Sequence, residues 1–179
     1  MKNIFILIPL ISFALLMTGC KKNYVLNEKQ VILFQYDYVN YASGYFHEGF
    51  YVDEEGDIMY YRNPDNWNFH AEDYNLTASQ LTENLSRCTK SDIKIDREDI
   101  IKYSSYIDNI TSSKITAMKN VADDAGTTLF ICYDFNEQNG IYNGTLIKME
   151  GDYTCENLNF YSKKISLWLR DINNNLHKR

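Results

Sequence analysis

Strand-like alternation runs unbroken from Gln30 to Tyr41, and no other feature of the chain restricts its fold as much. Ile32, Phe34, Tyr36 and Tyr38 share one side of an extended segment there, while Val31, Leu33, Gln35 and Asp37 share the other. Side chains along a strand alternate with a period of two. Both sides carry apolar or aromatic groups, so the pattern predicts a strand buried on its two faces. Such a strand needs sheet partners at its edges and cover above and below.

The following segments supply both. Tyr45–Asp53 and Asp57–Arg62 are aromatic-rich and separated by Glu54-Glu55-Gly56, turn chemistry that predicts a hairpin beside the first strand. Asn63-Pro64-Asp65-Asn66 ends the pattern, because proline drives the residue before it out of helical geometry. Thr77 and Gln80 form a capping box ahead of Leu81 and Leu85, which predicts a helix ending near Cys88. Asp96 is a similar cap, with Glu98 and Asp99 in the first turn where the helix dipole favours them. Ile100, Tyr103, Ile107 and Ile110 then predict a helix over residues 97–111. Helical spacing through Ile115, Met118, Val121 and Ala125 is ambiguous, and Gly126 is a natural stop.

Alternation returns over Thr127–Phe135 and Ile141–Met149, with Asn139-Gly140 the preferred turn and Asn143-Gly144 its rival. Thr154 reads as the cap of a final amphipathic helix carrying Leu158, Tyr161, Ile165, Trp168, Ile172 and Leu176. The order β-β-β, two helices, β-β, helix predicts one α+β domain over residues 30–179: an antiparallel sheet of about five strands with about three helices packed on it.

Ahead of this domain, Ile4 to Met17 is apolar apart from Ser12, with Lys2 and the terminal amine in front. A bilayer-spanning helix needs about 20 apolar residues and an export leader about 7–15, so the run is sized for export, and Pro9 weakens it as a permanent span. Met17-Thr18-Gly19-Cys20 follows, then polar Lys21-Lys22-Asn23. This resembles the lipobox of bacterial lipoprotein precursors, with Met17 where leucine is commonest. The resemblance implies a signal peptide over residues 1–19 cut by signal peptidase II, and diacylglycerol on Cys20. It further implies a tether over residues 20–29 and a domain held by acyl chains such as palmitate on a cell membrane, facing outside the cytoplasm. An ordinary secretory leader with an incidental cysteine is the alternative. Trp168-Leu169 on a capped helix after an Asn-Gly hairpin also resembles small exported proteins of low-GC bacteria, a similarity that implies no activity.

The formal charge is −6 and becomes more negative once Lys2 leaves with the leader. That balance argues against nucleic acid as a partner and against electrostatic adhesion to anionic lipid, leaving Cys20 as the expected membrane attachment. Of the other cysteines, Cys132 lies in apolar Leu129–Tyr133 and reads as a small buried hydrophobe. An exported location permits a Cys88–Cys155 bridge.

Chemistry-bearing motifs are sparse. Asp53-Glu54-Glu55-Gly56-Asp57 concentrates carboxylates, but a calcium loop counted from Asp53 places Pro64 where a bidentate glutamate is required. His47-Glu48 and His70-Ala71-Glu72-Asp73 lack the spacing of a zinc-protease helix. No nucleophile elbow, phosphate loop or Ser-x-x-Lys motif occurs, so no catalytic residue, metal ligand or cofactor is assigned. The remaining signal is aromatic density between Tyr36 and Phe69. Tyr45, Tyr51, Tyr61, Trp67 and Phe69 are the candidate binding residues, because rigid rings with polar ends stack on sugars or grip peptides. The expected function is a non-catalytic binding module with a protein or glycan ligand. Two alternatives remain: a surface hydrolase using His47, His70 or nearby carboxylates, and an inhibitor or immunity-type protein.

Overall fold

The computed structural model describes residues 30–70 and 72–178; the expected leader, Cys20 and the expected tether lie outside the described residues. In chain order the elements are β1 (Ile32–Asn40), β2 (Phe46–Asp53), β3 (Asp57–Arg62), β4 (Leu76–Thr77), α1 (Ala78–Leu85), β5 (Thr89–Lys94), α2 (Arg97–Ser104), α3 (Ile107–Thr111), β6 (Lys119–Asn120), β7 (Thr127–Asn136), β8 (Ile141–Gly151), β9 (Tyr153–Glu156) and α4 (Ser162–Leu176). The strands lie in the order β5-β3-β2-β1-β7-β8-β9-β6, with β4 beside β8. Every strand pair is antiparallel. The fold is α+β as expected, but the sheet has nine strands where about five are predicted.

The additions are elements with no apolar alternation of their own. β4 and β6 are two residues each, and β5 is the polar run Thr-Lys-Ser-Asp-Ile-Lys, held to β3 by pairing rather than by a buried face. β5 also forms one edge of the sheet, where Lys90 and Lys94 reach back to the Asp57 carboxylate at 2.5 and 3.0 Å.

β1 is central, flanked by β2 and β7, and its sides are both buried as predicted. The division of residues between them is not as predicted. The β1–β2 register shifts between Ile32 and Phe34, and the bulge sends Leu33 and Phe34 into one core while Ile32 joins the other.

The first core comprises Leu33, Phe34, Phe50, Val52, Ile58, Phe130 and Ile147 from the sheet, capped by Ile100, Ile107 and Ile110 of α2 and α3 and by Ile165, Leu169 and Ile172 of α4. Trp168 sets its edge on Phe34 at 5.3 Å and stacks on Tyr103 at 4.2 Å. Burying each such aliphatic side chain contributes about 1.5–3 kcal/mol, which is why a helix with this stripe docks here. The second core lies across the sheet: Ile32, Tyr51, Tyr61, Ile131, Tyr133, Tyr142 and Leu146, covered by Leu76, Leu81 and the loop bearing Trp67.

Helix starts follow the sequence at Thr77 and at Asp96, which precedes α2 with Glu98 and Asp99 in its first turn, and depart from it at Thr154. Thr77 caps α1 as predicted, its hydroxyl accepting from Gln80 N at 3.2 Å while Gln80 Oε1 accepts from Thr77 N at 2.9 Å. The helix predicted over 97–111 is instead two, α2 and α3. Ser104 and Ser105 end the first, donating their hydroxyls to Ile100 O and Lys102 O at 2.6 Å each, a side-chain competition that disfavours continued helix. Thr154 does not cap α4. It lies in β9 opposite Lys119, and α4 begins at Ser162, so Leu158 stays outside the helix and is exposed.

The turn between β7 and β8 falls at Asn139-Gly140, with Gly140 at φ +66, and Asn143-Gly144 lies within β8. Cys88, Cys132 and Cys155 are all free thiols, so the Cys88–Cys155 bridge that export would permit is not formed. Burial pushes Cys88 and Cys132 up to about 12, which leaves them protonated and unreactive. Among the described residues no helix is long and apolar enough to cross a membrane.

Candidate functional site

The five aromatic residues selected from the sequence meet at one place, around His47 near the start of β2. Antiparallel register puts His47 opposite Val39 and Gly49 opposite Asp37, so Asp37 and His47 are diagonal neighbours on the same face. Gly49 also pairs with Tyr61 on β3. A Cβ at Gly49 would collide with the Tyr61 hydroxyl and the Tyr36 carbonyl; its absence lets Tyr61 reach across β2 to Asp37. One glycine thus joins groups from three strands.

The hydrogen bonds form a continuous series. Tyr133 OH donates to Gln35 Oε1 at 2.5 Å, Gln35 Nε2 donates to Tyr61 OH at 2.9 Å, and Tyr61 OH donates to Asp37 Oδ1 at 2.5 Å. His47 Nε2 lies 2.7 Å from the same Asp37 oxygen, and His47 Nδ1 lies 3.1 Å from Tyr45 OH. An ionised carboxylate only accepts, so Nε2 carries the proton toward Asp37 and Nδ1 accepts from Tyr45. Gln35, Asp37, His47, Tyr61 and Tyr133 are all buried, His47 completely, whereas Tyr45 is 46% exposed. Burial raises the Tyr61 and Tyr133 hydroxyls well above the usual phenol range, keeping both as neutral donors. Tyr45 is raised by burial first, then by Tyr41 and Asp37.

The loop after β3 closes over this pair. Asn63 and Asn66 adopt positive φ, +45 and +51, a conformation asparagine tolerates better than most residues. Asn63 Oδ1 accepts from His47 N at 2.8 Å while Asn63 N donates to His47 O at 2.6 Å. The chain then returns across the sheet. Phe69 stacks on His47 at 5.1 Å, Trp67 meets it edge-on at 5.5 Å, and Trp67 packs 4.1 Å from Tyr61. A reciprocal clasp fixes the loop on α1: Asn84 Oδ1 accepts from Asn68 N at 2.9 Å, and Asn84 Nδ2 donates to Asn68 O at 2.8 Å.

Tyr45 and Phe69 are the exposed members of the set, Trp67 is half-buried, and Tyr51 and Tyr61 are buried beneath them. Tyr41 extends the surface, 5.7 Å from Tyr45. Sequence reasoning did not assign Asp37, Gln35 or Asn63 to this site. An Asp between tyrosines in a buried strand was the available signal, since a buried charge requires partners.

The other histidine groupings separate. Glu48 follows His47 in the strand and so faces the opposite side, where Arg62 lies at 3.9 Å and His177 at 3.4 Å. These residues border a cleft of about 440 Å³ beside the end of α4, with Tyr60 and Asp92. His70 sets its ring against Tyr74 at 5.1 Å. In the acidic turn, one oxygen from each of Asp53, Glu55 and Asp57 falls within 4.8 Å. Asp57 there faces Lys90 and Lys94, and Asp53 Oδ1 accepts from the Glu55 and Asp57 amides at 3.0 and 2.7 Å, the bonding of a hairpin turn.

Comparison with protein families, with curated proteins and with solved structures gives no match to this chain.

Proposed function

We propose that the chain is an exported lipoprotein, anchored through acylated Cys20, whose domain binds a glycan or protein ligand outside the cytoplasm on the surface formed by Tyr41, Tyr45 and Phe69. The observation that carries the reading is the seating of Tyr45 and Phe69 on a fully buried imidazole, with Tyr41 against Tyr45. Rings fixed in this way lose little conformational freedom on binding, which favours affinity.

Position supports the same reading. The tether enters the domain at Gln30, whose side chain donates to Tyr133 O at 2.6 Å, at the end of the sheet holding the acidic β2–β3 turn. His47 lies at the opposite end of β1, roughly 30 Å away at about 3.3 Å per residue. An anchor at one end and a ring surface at the other suit a domain that reaches away from the membrane.

Two experiments separate the parts of the proposal. Cys20→Ser should release the protein from the membrane fraction and block normal processing; unchanged retention and processing would exclude lipid anchoring. Affinity capture from intact cells, with a Tyr45→Ala/Phe69→Ala variant as control, should recover a ligand only with the wild-type surface. A saturable protein partner identifies protein binding, retained glycan without protein identifies sugar binding, and equal recovery by the variant refutes this surface.

A further inference from the structure

The series of bonds ending at Tyr45 goes beyond a binding surface. We infer that Tyr45 is a nucleophilic site whose phenol oxygen takes acyl groups from carboxylic esters, with His47 as general base and Asp37 positioning the imidazole.

Three features of the geometry carry this. The hydroxyl, imidazole and carboxylate stand in the order and at the spacing that activates a nucleophile: hydroxyl to ring nitrogen 3.1 Å, the other ring nitrogen to carboxylate 2.7 Å. The tautomer is fixed, because Asp37 already accepts from Tyr61 at 2.5 Å and can take only a proton-bearing nitrogen of His47. Nδ1 is therefore basic and faces Tyr45. Third, Tyr45 is the one exposed member of the series, the others being buried, so an external electrophile meets the relay there. The rings of Tyr41 and Phe69 beside it suit an ester with a flat or apolar portion.

In the step, Tyr45 Oη bonds to the ester carbonyl carbon as its proton passes to His47 Nδ1. The ester C–O bond breaks and the departing alkoxide takes that proton. Ester and phenol become acyl-Tyr45 and an alcohol, with no oxidant or reductant. The upward displacement of the Tyr45 phenol by burial, Tyr41 and Asp37 means that little phenolate stands ready near neutral pH, so the base must act within the step.

The test compares tyrosines within one molecule. The full chain is treated with 4-nitrophenyl acetate near neutral pH, and acetylation of Tyr45 is followed by peptide mass spectrometry against Tyr41 and Tyr60, which are also exposed. Tyr45 should react about a hundredfold faster than either, the lower end of general-base assistance. The Tyr45 rate should rise less steeply with pH than the Tyr41 rate, because a base-assisted phenol does not depend on the phenolate fraction alone. Asp37→Asn should bring the Tyr45 pH profile toward that of Tyr41, a change that a purely packing role would not produce. In folded His47→Gln the advantage should vanish. Equal acetylation of Tyr45 and Tyr41 in the wild-type chain overturns the inference without reference to any variant, and so does an unchanged advantage in folded His47→Gln.

Discussion

The two sides of the sheet are both deeply buried but are held together by different forces. Against α2, α3 and α4 the contacts are aliphatic and aromatic: Ile100, Ile110, Ile165 and Leu169 are fully buried on Phe34, Phe50 and Phe130. Beneath α1 and the Trp67 loop, tyrosines donate to one another's partners and converge on a buried Asp37–His47 pair. Dispersion and water exclusion are non-directional, so the first side tolerates small displacements. Hydrogen bonds around a buried charge are directional and leave costly groups behind when broken. The side with directional bonding also reaches the surface, through the exposed rings of Tyr45 and Phe69.

The largest effect should come from Asp37→Ala, which removes the acceptor shared by His47 and Tyr61. The buried Tyr61 hydroxyl and the His47 Nε2–H are left without an acceptor at about 1–3 kcal/mol each, read as a lower urea midpoint; a loss below about 1 kcal/mol would erase the contrast between the sides. On the helical side, Leu169→Ala should cost about 3 kcal/mol while leaving Trp67 fluorescence in the native state unchanged. A shifted Trp67 emission would mean that the sides are coupled through the sheet.

Gly49→Ala should cost about 1–3 kcal/mol, as overpacking does, and should displace the Tyr61 hydroxyl from Asp37. The check is the hydroxyl proton of Tyr61, which NMR should find slow to exchange in the wild type and fast in the variant. The smallest effect concerns acid. Hydrogen bonds from Lys90 and then Lys94 hold the Asp57 carboxyl below the usual carboxylate range. Their contribution is full above the unfolded value of about 4 and is lost as pH falls through the lower folded one. Asp57→Asn should therefore lower stability slightly at neutral pH, and its profile should converge with that of the wild type as pH falls through the folded value, flattening the acid limb.

The sequence made legible what repeats with a period. The long strands β1, β2, β3, β7 and β8, the Thr77 capping box and the apolar stripe of α4 all follow from spacing and local bonding. β5 and β9 did not, because a partner strand rather than an apolar face defines them. The break at Ser104 and Ser105 was hidden because Ile100, Tyr103, Ile107 and Ile110 keep helical spacing across it. For the site, aromatic density brought out Tyr45, Trp67 and Phe69, but a run of rings does not say which are covered. Tyr51 and Tyr61 are covered. The joining of Asp37 to His47 depended on strand register, which no local pattern encodes.

The charged edge strand has a consequence for behaviour in numbers. An unpaired edge is a template on which another copy can add its own strand, and the anchoring proposed through Cys20 would bring copies into repeated lateral encounter. Thr89, Lys90, Asp92 and Lys94 leave β5 with exposed polar or charged side chains. A second edge could pair there only by desolvating these charges, including the lysines that Asp57 already holds. A strand with no apolar pattern of its own is thus the one that guards this edge of the sheet against the addition of a second copy.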